Sequence, residues 1–301
     1  MRLDTHVHSC YSGRSTIRGL KHLLKESYNT PDGIYRLAKS RGMDLVTITD
    51  HDSIEGALTI ADRPDVIVGC EVTATFKHDG VQVHLGVLGL NEAQFAEISQ
   101  LRHDMTELLP YLREQHLFVS LNHVASHVRG RLTADHVAAL MPWIDGLEVI
   151  NGSRLRSQNK TAYRLALANG KALIAGSDAH TKRGVGETWV EARNARTREE
   201  FLGELRARRV SPGGRHGHYF TMAEDILRAT GGLYWEQALK CACDPLSWRR
   251  QAAMAALIAS TPLLTLAFVV AAAHFGKEAQ FNRSLLFDIG RRPALLVAGL
   301  A

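Results

Sequence analysis

The sequence predicts an α/β protein: a barrel of repeated β-α units, followed by a helical C-terminal segment. Three observations carry this. Short β-branched runs alternate with amphipathic stretches over the first two-thirds of the chain. Polar clusters fall at the ends of successive strand candidates, where barrel enzymes gather their chemistry. Past a Pro-Gly-Gly-Arg-His-Gly loop at 212–217 the alternation stops and long amphipathic and apolar runs begin.

Strands are expected at 3–7, 45–49, 66–72, 81–88, 118–121, 147–150, 172–175 and 188–192. Helices are expected at 31–40, 92–115, 134–140, 159–168 and 198–208, with Gly42 and Gly170 where helices end. The turn at 77–80 joins two apolar runs as a hairpin. Residues 1–216 form the catalytic domain in this reading and 217–301 a helical tail. Within the tail, an apolar run at about 252–273 has the length of a transmembrane helix, with Pro262 tolerable inside it. A helix buried in an oligomer is the competing reading of that run.

At 301 residues, 45% hydrophobic and 22% charged, the chain is long enough for a full core without disulfides. Four cysteines show no framework spacing, and the N-terminus runs straight into a strand without an apolar signal region. A cytoplasmic catalytic domain, anchored to the inner membrane by the tail, is the expectation. The net charge of +5 suits an anionic substrate or membrane face. No basic helix of DNA-reading type is present, so specific DNA binding is not expected. Fifteen histidines, many beside Asp, Asn or Glu, are the more telling feature.

His6 and His8 lie two apart on a strand and so point the same way, offering two nitrogens to one ion. Asp4 shares that face and is placed to orient a ligand histidine. Asp50, His51 and Asp52 follow the second strand, with Asp52-Ser53 able to cap the next helix. Glu71 ends an apolar strand, where burial without a partner would be costly. His84 sits inside an apolar strand whose hairpin partner carries Glu71. Asn122-His123 follows the fifth strand, and Asp178 and His180 repeat the two-apart spacing. Nitrogen and oxygen donors without thiolates suit zinc, manganese or iron. Their number points to two or more metals sharing a carboxylate, with a metal-bridging hydroxide as nucleophile. No Gly-x-Ser-x-Gly or P-loop pattern competes.

Together, Asp4-Thr5-His6-Val7-His8-Ser9, Ile48-Thr49-Asp50-His51-Asp52-Ser53, Gly69-Cys70-Glu71, Asn122-His123 and Gly176-Ser177-Asp178-Ala179-His180 resemble the PHP (polymerase and histidinol phosphatase) family in order and content over residues 1 to about 216. The resemblance implies a distorted, TIM-like (β/α)7 barrel that holds two or three divalent ions and hydrolyses phosphomonoesters or phosphodiesters. It implies that His6, His8, Glu71 and Asp178 hold one metal, Glu71, His84 and His123 a second, and His51 and His180 a third. Asp178 and His180 would then act in catalysis. Gly146-Leu147-Glu148-Val149-Ile150-Asn151 matches a further family pattern, with a supporting role. One departure stands out: many members carry Ser-Asp-Gly after the second histidine, whereas this chain reads Tyr11-Ser12-Gly13-Arg14 and then inserts residues 15–30. The third site is then incomplete, or completed by another residue such as Asp32. Arg14 and Arg183 are candidates for the substrate phosphate, with Lys182 beside the latter. The expected substrate is a small phosphorylated molecule or a short oligonucleotide. The rival readings are an amidohydrolase-type C–N hydrolase and a non-catalytic, membrane-anchored metal-binding module.

Overall fold

The computed structural model describes residues 1–13, 25–259, 266–292 and 295. Its centre is a curled six-stranded sheet, in the order β2 (Val46–Ile48), β3 (Val66–Phe76), β4 (Val81–Leu88), β5 (Phe118–Leu121), β6 (Gly146–Asn151) and β7 (Ala172–Gly176). β2 runs parallel to β3, and β5, β6 and β7 run parallel to one another. The middle of the sheet is antiparallel, because β3 returns as β4 through the expected hairpin, whose Gly80 takes φ +74°. β3 is longer than expected, since its pairing with β4 continues to Phe76. A smaller sheet pairs β1 (Arg2–Leu3) with β8 (Thr188–Glu191) and β8 with β9 (Ser211–Gly214). β9 lies in a segment expected to be loop.

The expected first strand is regular only over Arg2–Leu3. The chain then leaves β8 and closes the ring between the two edges of the large sheet. Val7 forms a parallel bridge with Ala179, His8 N donates to Ala179 O at 3.1 Å and Asp178 N to His6 O at 2.8 Å. On the other side Thr49 N donates to Val7 O at 2.9 Å. The expected seven-stranded barrel is thus met as six regular strands and one short bridging segment. Gly176 allows the approach, because a Cβ there would collide with the Cβ of His6.

Helices clothe the sheet: α1 (Pro31–Ser40), α2 (Glu55–Leu58), α3 (Glu92–Leu101), α4 (Met105–Glu114), α5 (Ala134–Leu140), α6 (Arg156–Ala168) and α7 (Arg198–Arg206). The single helix expected at 92–115 is two, because Asp104 is extended and caps α4 by accepting from Thr106 N. Of the expected Asp52-Ser53 cap, Ser53 Oγ accepts from Glu55 N at the start of α2 at 3.2 Å, whereas Asp52 accepts from Thr73 N and pairs with Arg102. The largest core cluster lies between β3–β6 and α3–α6. A second, with Leu3, Phe118, Ala172 and Phe201, fills the end of the barrel near the starts of the parallel strands.

The tail forms α8 (Tyr219–Cys243), α9 (Trp248–Ala259) and α10 (Leu266–Gly290). The apolar run at about 252–273 is therefore shared between two helices, and its residues 260–265 lie outside the described residues. No helix among the described residues is long and apolar enough to cross a membrane. α10 soon acquires Lys277, Glu278, Arg283 and Asp288, and it returns to the barrel against α5 and α6. Its docking stripe is Glu278, Asn282, Leu285 and Ile289, spaced four, three and four apart on one helix face. Leu285 and Ile289 are in the main core cluster. Asn282 Oδ1 accepts from Thr161 at 2.8 Å, and Glu278 Oε2 from Gln158 at 2.8 Å.

This packing makes Leu285 a core residue. Leu285→Ala is expected to lower the unfolding free energy by about 2–5 kcal/mol. Chemical denaturation of the full chain checks it, and an unchanged transition would mean that α10 is not docked.

Candidate metal centre

Residues 6–8 carry two imidazoles into the barrel because His6 and His8 face the same side of the bridging segment. His6 Nε2 and His8 Nε2 are 3.0 Å apart. Glu71 Oε2 is 3.2 Å from the first and 3.5 Å from the second. Asp178 Oδ1 is 3.7 and 3.4 Å from the same two atoms. Donors held about 2.0–2.2 Å from one ion would lie at about these separations from each other. The other oxygen of Glu71 faces His123 Nε2 at 3.1 Å and His84 Nδ1 at 3.3 Å. His51 Nδ1 lies 3.0 Å from Glu71 Oε2. The ring of His8 stacks on those of His51 and His180, at 4.6 and 4.3 Å between centroids. Three overlapping groups result: His6, His8, Glu71 and Asp178; Glu71, His84, His123 and His51; and His8, His51 and His180.

The residues fit metal ions on an observation independent of any motif. Glu71 is fully buried, yet its Oε2 has no hydrogen bond, although three imidazole nitrogens surround it. His84 Nδ1, 3.3 Å from Glu71 Oε1, is likewise buried and unbonded. Atoms that converge without bonding to each other are poised around a shared cation. Behind them, Glu148 Oε1 is 2.8 Å from His6 Nδ1. An ionised carboxylate only accepts, so Nδ1 carries the proton and Nε2 faces the centre. Glu148 Oε2 also accepts from His123 N and Asn151 Nδ2. Asn151 Nδ2 donates as well to Asp178 Oδ2 at 3.1 Å. The supporting role expected of Glu148 and Asn151 is what this geometry gives them. His123 and Asp178 both take positive φ, +27° and +52°, backbone strain of the kind that persists only where the surroundings enforce it.

The protonation pattern follows. Burial opposes charge on His6, but Glu71, Glu148 and Asp178 outweigh it and hold the ring protonated well above the usual range. Burial opposes charge on His51 too, and Glu71 and Glu26 overcome it, raising its pKa to about 9. His8 is pushed down to about 3 by burial and by His180 and His51. Glu71 and Asp178 stay ionised despite burial, Glu71 through His6, His84 and His51, and Asp178 through His6 and Arg154.

All eight expected ligands are therefore brought together, while the other candidates are not. Arg14 lies outside the described residues. Arg183 pairs with Glu224 at 3.2 Å and lines a separate cleft with Arg41 and Arg215. Asp32 pairs with Arg63 at the exposed start of α1, away from the centre. Asp4 does not touch a ring: its carboxylate accepts from the backbone N–H groups of His6, Ser177 and Gly186, and so ties the bridging segment to β7. Asp50 is occupied by Ser9 N and Oγ, both at 2.6 Å.

Two residues escaped the sequence reading. Glu26, from the insertion, lies 3.6 Å from His51 Nε2 and 3.7 Å from His180 Nε2, supplying the carboxylate that the stretch after His8 lacks. Arg154, just past β6, has Nη2 3.4 Å from Asp178 and a buried, unpartnered Nε. Elsewhere, His78, Asp79 and His136 also cluster. There, however, His136 Nδ1 accepts from Thr133 N, so the opposite nitrogen is the donor to Asp79 and has no lone pair for an ion.

Residues 156–210 match a family model described as PHP-associated. An uncharacterized protein of Methanocaldococcus jannaschii is 32% identical over 80 residues, 25% of this chain and 46% of that protein. The match thus spans less than half the length of that curated relative. Among solved structures, PsfC from Pseudomonas syringae aligns with a TM-score of 0.50 at 16% identity, covering 79% of this chain and 98% of its own. A two-domain protein from Bacteroides vulgatus, containing a predicted PHP-like metal-dependent phosphoesterase, aligns at 0.48 and 20% identity over 76% of this chain and 68% of its own. An amidohydrolase from Chromobacterium violaceum aligns at 0.44 and 18% identity over 69% and 97%. The match at 156–210 bears out the PHP resemblance of the motifs, and the likeness to PsfC is one of fold.

Because His6 and His51 are protonated at neutral pH without metal, an incoming ion must displace their protons. Metal affinity is expected to rise as pH rises from about 6 to about 9, the folded pKa of His51, with proton release seen by calorimetry in buffers of different ionisation enthalpy. An affinity flat across that window would contradict the assignment. Glu26→Gln removes the carboxylate between His51 and His180. Mass spectrometry is expected to find one ion fewer per chain while the group around His6 and Glu71 stays loaded; full occupancy at unchanged affinity would remove Glu26 from the site.

Proposed function

We propose that the chain is a PHP-type, metal-dependent hydrolase of phosphoesters, with two or three divalent ions of manganese, zinc or iron class. The observation that carries the reading is the unbonded, fully buried Oε2 of Glu71 at the meeting point of three imidazoles. Divalent ions in such a centre activate water and neutralise charge developing on a phosphoryl group.

The chain's own residues supply the rest. Glu71 and Asp178 hold the centre together, His6 and His123 are kept in place by Glu148, and Glu26 closes the side formed by His51 and His180. The ligands open into a cavity of about 590 Å³ that also takes in Arg154, His127 and Arg129. That volume suits a nucleotide- or sugar-phosphate-sized substrate, or the end of a short oligonucleotide. Arg154 is the guanidinium beside Asp178, and its planar fork matches phosphate oxygens. An amidohydrolase centre of the carboxylated-lysine kind has no support, because no lysine among the described residues lines the cavity.

The test uses the full chain reconstituted with each metal against p-nitrophenyl phosphate, its bis ester and nucleotides. Glu148→Gln is expected to lower turnover by about 10- to 100-fold, the usual effect of losing a group behind a ligand. Glu71→Ala is expected to fall further, to background. Wild-type rates in Glu71→Ala would dismiss the site, and turnover of amides but no phosphoester would dismiss the substrate class.

A further inference from the structure

The cavity has one wall that does not belong to the barrel. His274 sits four residues before Glu278 on α10, one turn along the docking stripe, and lines the same cavity as the metal ligands. Two nitrogens in this cavity, Arg154 Nε and His274 Nε2, are buried and have no partner. Buried polar groups left without a partner are costly, so two on the wall of one cavity point to a ligand that satisfies both. They come from different elements, Arg154 from the loop after β6 and His274 from the C-terminal helix.

The neighbouring acid does not compete for that role. Glu278 Oε1 accepts from His127 N at 3.3 Å, and its Oε2 is taken by Gln158. Burial first, and then the Arg154 charge, keep His274 below the usual imidazole range, so the ring is neutral at pH 7. Lys277, three residues further along α10, is exposed.

We propose that Arg154 and His274 form the subsite for phosphoryl oxygen turned away from the metal centre, which makes α10 the outer wall of the substrate site and selects phosphomonoesters over diesters. The inference rests on the phosphoester reading for the identity of the anion. The selection follows from oxygen count. A monoester has three non-bridging oxygens, enough to engage both the ions and the Arg154–His274 pair. A diester has two, too few to engage both.

Inorganic phosphate is the probe, titrated calorimetrically into the metal-loaded full chain. His274→Ala is expected to weaken phosphate binding about tenfold, the effect of one lost hydrogen bond, with metal content unchanged. His274→Gln, which keeps an N–H donor, is expected to recover most of the loss, and Lys277→Ala to bind as the unaltered chain does. In kinetics, His274→Ala is expected to raise KM for p-nitrophenyl phosphate more than it lowers kcat, while leaving the poorer bis ester unaffected. Equal phosphate affinity in His274→Ala and the unaltered chain, absence of phosphate binding altogether, or a preference for the diester would each overturn the inference. Phosphate binding that depends on His274, in a chain that turns over no phosphoester, would instead overturn the hydrolase reading and leave the anion subsite standing.

Discussion

A carboxylate with no solvent contact, Glu71, sits where five imidazoles converge, and the rest of the site is arranged around the cost of keeping it there. An ion buried alone would neutralise rather than stay charged. Here His6, His84 and His51 keep Glu71 ionised against its burial. The same ion pairing holds protons on His6 and His51. In the metal-free protein those protons stand in for cations. Glu71 Oε2 is nevertheless left without a hydrogen bond, with His51, His6 and His8 at 3.0–3.5 Å, and those residues with Asp178 would hold a divalent ion that neutralises the carboxylate.

Such a cluster needs strands that end at one level, and the closure of the barrel supplies this. The bridging segment at residues 6–8 is held by backbone bonds to Ala179 and Thr49 on its two sides. Asp4 adds three backbone N–H groups from the same neighbourhood. Its burial raises its pKa to about 6, and the cost of that buried charge is set against the fixing of the His6 and Asp178 backbones. The hairpin between β3 and β4 then places His84 diagonally across from Glu71 without any helix between them.

The ligands were legible in the sequence because strand ends repeat a simple rule: side chains two apart share a face, so His6 with His8 and Asp178 with His180 announce themselves. Glu26 was not legible. It belongs to an insertion, and only the closed barrel brings it near His51 and His180, so no spacing in the chain marks it. Asp32, chosen instead for its charge, lies at the start of α1 and is taken by Arg63. The tail was read as a membrane helix from the apolar run at about 252–273, whereas no helix among the described residues is long and apolar enough to cross a membrane. Hydrophobic run length identifies membrane helices, but α10 docks through a stripe that includes Glu278 and Asn282, polar residues whose partners lie on α6. A pattern that counts apolar residues passes over such a face.

That stripe also explains how the tail bears on the metal centre. The loop carrying His123 turns through a strained backbone, and the turn is held from both sides. Ser126 N donates back to His123 O at 2.8 Å. Gln158, on α6, donates to Ala125 O, Ser126 Oγ and Glu278 Oε2 together. Glu278 completes the clasp through His127 N. Take away α10, and the backbone N–H of His127 and part of the Gln158 amide lose their partner just where His123 must hold its angle toward Glu71. The helix that lines the cavity therefore also steadies the turn that carries His123.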